Sequence, residues 1–135
     1  MKAVKYLVAG LLMMGLSAPV MAQEVNYKES LKPIETTLKA GNADPKAFEK
    51  ELKEYQKTFK KDPKALVALG NVLAMNKQYD QANAIADGVI AKFKNYGDAY
   101  ILKGDIYAMQ DNGGEAATWY GQCMEMDPKN PQGYI

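Results

Sequence analysis

LGNVLAMNKQYDQA occupies residues 69–82 and KGDIYAMQDNGGEA occupies residues 103–116. Laid over one another they share Gly70 with Gly104, Ala74 with Ala108, Met75 with Met109 and Ala82 with Ala116, each pair 34 positions apart. A chain that restates itself at such an interval is built from one supersecondary unit, stacked because no single unit can cover its own apolar surface. The identity of that unit follows from reading outward in both directions.

Asp62-Pro63 reads as a helix start, with the carboxylate as cap and Pro in the first position, where its missing N–H costs little. Leu66, Leu69, Val72 and Leu73 follow at helical spacing, Asn76 to Asp80 turns the chain, and a partner helix carries Ala82, Ile85, Ala86, Val89, Ile90 and Phe93. After Asn95-Tyr96-Gly97 the pattern repeats with Tyr100, Ile101, Gly104 and Tyr107, a turn at Asp111 to Gly114, then Ala116, Trp119, Tyr120, Cys123 and Met124. The unit is therefore a helical hairpin, and Pro63 and Pro131, two periods apart, keep its register. Gly70 with Ala82, and Gly104 with Ala116, are expected where the two helices of each hairpin cross.

Upstream, Asp44-Pro45 opens a helix with Phe48, Leu52, Tyr55 and Phe59 on one face; Glu49 with Lys53, and Lys50 with Glu54, make a solvated opposite face. Before it, Tyr27, Leu31, Ile34 and Leu38 follow a helical period that stops at Gly41. Pro33 leaves two starts for this helix. Either Asn26 caps a helix that Pro33 kinks, or Ser30 caps one that keeps Pro33 in its first turn, and the second is the expectation because it wastes no hydrogen bond. No stretch reads as a strand.

At the N-terminus Lys2 and Lys5 precede an apolar run from Leu7 to Leu16, broken by Ser17, Ala18 and Pro19, with Val20-Met21-Ala22 offering small residues for cleavage. This is the pattern of a secretory signal peptide over residues 1–22. The run is shorter than the roughly 20 apolar residues that span a bilayer, and no Cys near the cut offers a lipid anchor. The expected mature chain starts at Gln23, has no integral membrane segment, and is exported to the periplasm or cell envelope of a bacterium. Losing two lysines of 17 leaves 15 basic residues against 16 acidic ones, a net charge of −1. That balance excludes a nucleic-acid surface. Cys123 is the single cysteine, so no internal disulfide forms.

A 34-residue helix–turn–helix with this spaced set of residues resembles the tetratricopeptide repeat (TPR). Repeat 1 over 63–96 matches through Leu66, Leu69, Gly70, Leu73 and Ala82; repeat 2 over 97–130 matches through Tyr100 in the Trp place, Gly104, Tyr107, Ala116, Tyr120 in the Phe place, and Pro128. Departures fall at Ala86 and Lys94 in the first repeat and at Lys103, where Leu is usual, in the second. Residues 23–62 follow as a divergent hairpin, and 131–135 as the start of a further helix or repeat. The resemblance implies an all-α solenoid of stacked antiparallel helical hairpins, with the first helix of each pair lining a concave groove. Its inner positions would be Lys64, Val67, Asn71, Ala74 and Met75, then Asp98, Ile101, Asp105, Ala108 and Met109. The resemblance also implies that such a groove binds a peptide or protein segment. Val67 and Leu102 occupy places where a carboxylate clamp would need polar groups, so that specialisation is not expected.

Catalysis finds little footing. The chain has no His, which removes the commonest general base and metal ligand. Cys123 falls where a small buried residue belongs, Gly113-Gly114 is an interhelical turn rather than a phosphate loop, and Glu49, Glu51 and Glu54 lie on a solvated helix. No cofactor is implied. The expectation is a non-catalytic interaction scaffold of the cell envelope with a protein or peptide partner, and self-association through the exposed C-terminal hairpin as a further route. The alternative is an N-terminal interaction module of a larger protein whose C-terminal part is enzymatic. Glycan binding through Tyr100, Tyr107 and Trp119 ranks below both.

Overall fold

The computed structural model describes residues 19–130, which form six helices and no strand among the described residues. They are α1 (Pro19–Ala40), α2 (Pro45–Thr58), α3 (Pro63–Met75), α4 (Tyr79–Lys92), α5 (Gly97–Met109) and α6 (Gly113–Met126). The 14-residue helices α2, α4 and α6 begin at 45, 79 and 113, so each is displaced from the last by 34 residues. The 13-residue helices α3 and α5 begin at 63 and 97, again 34 apart. The protein is thus an all-α stack of helical hairpins. The first hairpin keeps the same period although its composition hides it: Phe48, Leu52, Tyr55 and Phe59 stand where Ala82, Ala86, Val89 and Phe93 stand one period later.

Local chemistry explains the boundaries. Asp44 accepts the Ala47 N–H at 3.1 Å and Asp62 accepts the Ala65 N–H at 3.2 Å, the two expected caps, each before a Pro. Helix α5 has no such cap: Tyr96 and Gly97 replace the Asp-Pro pair. The Gly97 N–H, a donor that Pro63 lacks, is instead bound by the carboxylate of Asp127 at 3.0 Å, thirty residues on. The end of the last hairpin therefore folds back on its own beginning.

Both later hairpins turn in the same way, and more tightly than expected. Lys77 and Asp111, one period apart, adopt left-handed backbone with φ of 65° and 61°. In each turn the next N–H reaches back five residues, Gln78 to the Leu73 carbonyl at 2.8 Å and Asn112 to the Tyr107 carbonyl at 2.9 Å. The preceding N–H bonds the carbonyl three back, Lys77 to Ala74 and Asp111 to Ala108. This is the Schellman closure, which satisfies carbonyls that a helix end would otherwise leave open.

Helix α1 differs from the expectation. It is a single 22-residue helix with Pro33 inside it, so neither Ser30 nor Asn26 caps it, and it runs on through positions 22 and 23. A Pro in a helix interior costs about 3 kcal/mol. Tyr27, Leu31 and Ile34 offset that cost by burying their side chains on both sides of the interruption, with Tyr27 set edge-on to Phe59 at 6.5 Å. The apolar run from Leu7 to Leu16 and residues 131–135, expected to begin a further unit, lie outside the described residues. No helix among the described residues is long and apolar enough to cross a membrane.

The core is continuous from α1 to α5, through Ile34, Tyr55, Leu69, Leu73, Val89, Leu102 and Ile106, and a second small cluster joins Tyr100, Ile101 and Cys123. The two helix-crossing glycines divide their roles. A side chain at Gly104 would strike the ring of Tyr120 on α6, within its own hairpin as expected. One at Gly70 would strike Leu102 on α5 and touch Ile85 on α4 at 3.6 Å, so Gly70 serves the junction with the next hairpin as well as the crossing of its own. Helices α1, α3 and α5 pack against each other in series, while α2, α4 and α6 form no matching series. The first helices are therefore the closer set.

Candidate functional site

The side chains of α3 and α5 at the expected groove positions divide into buried and exposed ones. Val67, Ala74 and Ile101 are buried, the first two in the main core and Ile101 in the small cluster with Tyr100 and Cys123. Lys64 and Asn71 are exposed, and Met75 and Met109, at equivalent positions near the helix ends, present 75% and 44% of their surface to solvent. Ala108 lies exposed beside Met109, whereas its counterpart Ala74 is covered. Of the sequence-expected groove residues only half are exposed.

The two aspartates of α5 are held rather than free. Asp105 accepts the hydroxyl of Tyr120 at 2.6 Å, and Asp98 accepts the side-chain amide of Asn130 at 2.7 Å. Burial first, then the Asp105 hydrogen bond and charge, push the Tyr120 phenol up to about 12. Tyr96 is likewise raised to about 12, by burial first and then chiefly by the charge of Asp98. Reading the inner positions alone misses these partners, because Tyr120 and Asn130 come from α6 and the segment after it. Asn71 has no tyrosine one hairpin earlier in register: Ala86 stands where Tyr120 does.

A second polar constellation lies at the junction of the two later hairpins. Lys103 stands where Leu69 stands one period earlier and is only 5% exposed. Its ammonium donates to Asp87 at 2.6 Å and Asn83 at 2.7 Å, both on α4, and sits 4.5 Å from the ring centre of Trp119 on α6. Trp119 in turn stacks on Tyr100 at 6.3 Å. One cation therefore ties three helices together. The signal for it was in the sequence, a lone Lys in a Leu place.

Neither a family model nor a curated protein matches this chain.

Cys123 is fully buried, and burial, followed by the charges of Asp127 and Asp98, raises its thiol above the usual range, which disfavours the thiolate that a nucleophile requires. Among the described residues no group of three His, Cys, Asp or Glu side chains is placed to hold a metal ion.

Proposed function

We propose that this chain is a non-catalytic interaction scaffold, an exported TPR-like protein of the bacterial envelope that takes a peptide or protein segment along the inner faces of α3 and α5. The observation that carries this reading is the pair Met75 and Met109, large apolar side chains solvent-exposed at equivalent positions of neighbouring hairpins. Exposed methionine is an adaptable contact that moulds to varied partners at low cost. Asn71 beside it offers both a donor and an acceptor to an extended backbone. Export rests on the N-terminal pattern of Lys2, Lys5 and the Leu7 to Leu16 run.

Site-specific photocrosslinking tests the groove. A crosslinking side chain at Met75 or Met109 captures a discrete partner in envelope extracts, and the same group at Ala84 or Thr118, exposed on α4 and α6, does not. Equal capture from both sets removes the inner face as the binding surface. Fractionation with mass measurement of the N-terminus tests export: the reading requires a processed chain beginning at Gln23.

A further inference from the structure

The inner face is not electrically uniform. Lys64 on α3 is exposed, and Asp98 occupies the equivalent place on α5; Asn71 on α3 is matched by Asp105. The face thus changes from positive to negative within one period. Asp98 and Asp105 are both half-buried, and each is oriented by a neutral donor, the Asn130 amide and the Tyr120 hydroxyl. Neutral donors fix a carboxylate without cancelling its charge. Among the described residues neither makes an ion pair, whereas Lys32, Lys53 and Lys103 pair with Glu29, Glu49 and Asp87. The buried cation of the same helix, Lys103, is bound to Asp87 and Asn83 on α4. Between the carboxylates runs Ile101, and beyond them the exposed Ala108 and Met109.

We propose that the occupant is an extended peptide bearing lysine or arginine side chains, its cationic part over Asp98 and Asp105 and its aliphatic, neutral or acidic part over Met75 and Lys64. This deepens the scaffold reading and rests on it. Asp98 and Asp105 lie seven residues apart on one helix face, about 10 Å along the axis, a distance nearly matched by three residues of a polyproline II-like extended chain, about 9 Å, which at three residues per turn keeps their side chains on one face. A peptide with two lysines three positions apart reaches both. Apolar contact with the methionines supplies the affinity that the charges alone, partly screened by water, do not. Tyr120 is then a positioning residue, aiming Asp105 while its ring covers Gly104.

The test uses the full mature chain and dye-labelled peptides of eight residues, with leucine in one half and two lysines three apart in the other, read by fluorescence anisotropy. Matched peptides replace both lysines by glutamine or by glutamate. The lysine peptide binds best, weakens on raising salt to about 0.5 M, and loses on the order of tenfold in affinity with Asp98→Asn and Asp105→Asn combined. Both substitutions keep an acceptor oxygen for Asn130 and Tyr120, so the helix content stays as in the parent, with the melting temperature lowered by a few degrees as charge-assisted hydrogen bonds become neutral ones. Tyr120→Phe keeps the ring and lowers affinity for the lysine peptide alone. Equal binding of all three peptides, or no effect of the two asparagines, overturns the charge proposal and leaves the groove standing. Affinity untouched by Met75→Ser with Met109→Ser, or no binding by any peptide, overturns both. Displacement of the peptide by spermidine at equal concentration also overturns the proposal, because a free polyamine then satisfies the carboxylates without the methionines.

Discussion

The ammonium of Lys103 and the carboxylate of Asp87 meet at 2.6 Å across the junction between the second and third hairpins, with the Lys side chain 6% exposed and the Asp 60%. The asymmetry sets the energetics. Burying the cation costs solvation that a half-open partner returns only in part, while removing that partner leaves the ammonium with Asn83 and an aromatic face. Asp87→Ala is expected to cost about 1–2 kcal/mol by urea denaturation, toward the low end for a hydrogen bond to a charged group because Asp87 is exposed. Lys103→Met, which restores the apolar choice seen at Leu69, is expected to be neutral or stabilising, and Asp87→Ala then costs almost nothing in its background. A double-mutant cycle that shows no coupling would falsify the pairing. The single Trp119, 4.5 Å from the ammonium, reports the same change through its fluorescence.

Close approach and open helix surface give glycine substitutions of opposite sign. At Gly104 an added carbon meets the Tyr120 ring, and at Gly70 it meets Leu102. Neither neighbour has room to yield without disturbing a packed junction, so Gly104→Leu is expected to lose roughly 1–3 kcal/mol and several degrees of melting temperature. At Gly88 and Gly121, inside α4 and α6, a Cβ meets nothing within 4 Å. There alanine removes only the entropy that glycine loses in a helix, a gain of about 0.5–1 kcal/mol. Parallel thermal melts of the variants check both signs; a stabilised Gly104→Leu is incompatible with the ring lying where it does.

How far the sequence could be read follows from the range of each interaction. Gly70, Ala82, Gly104 and Ala116 gave the period, and Asp44 and Asp62 their helix starts, because those signals act within a few residues. The first hairpin's membership of the 34-residue series was hidden, since Phe48 and Leu52 fill with bulk what Ala82 and Ala86 leave to neighbours. Pro33 was misplaced because local cost was weighed without the buried contacts of Tyr27, Leu31 and Ile34 that overrule it. The equivalence of Lys64 with Asp98 and of Asn71 with Asp105 was legible from the register, but not the hold of Tyr120 on Asp105 or of Asn130 on Asp98, which are fifteen and thirty-two residues apart in the chain. Gly97, too, gains its partner Asp127 only when the hairpin closes.

The two hairpin turns carry a correctable strain. Lys77 and Asp111 hold φ near +60°, a conformation that costs a side chain roughly 1–2 kcal/mol, where glycine is at ease. Lys77→Gly is expected to raise stability by about 0.5–1 kcal/mol after the greater entropy loss of glycine is counted. Asp111→Asn should gain less, because Asp already tolerates this region. Equilibrium denaturation settles both, and a destabilised Lys77→Gly would mean that the Lys77 side chain contributes more than its backbone costs.

Alkali is expected to loosen the stack before acid does so through these phenols. Tyr96 and Tyr120 are raised to about 12, and Tyr55, buried and donating to the Ala65 carbonyl at 2.8 Å, is raised further still. Burial is the largest cause at each, so it is the neutral phenol that the fold prefers. A group whose folded pKa lies above its unfolded value of about 10 contributes stability that is complete below pH 10 and is lost as pH rises through the folded value. Unfolding free energy should therefore be level with respect to these groups from neutral pH to about 10 and fall between about 10 and 12. Tyr55→Phe removes one titrating group and its hydrogen bond, so it lowers stability at neutral pH while making the alkaline decline shallower. Urea midpoints taken across that range, with tyrosinate absorbance compared between the parent and the Tyr55→Phe, Tyr96→Phe and Tyr120→Phe variants, distinguish this from general charge repulsion: if the absorbance that each substitution removes rises near pH 10 while the protein stays folded, the phenols are not held as the structure places them.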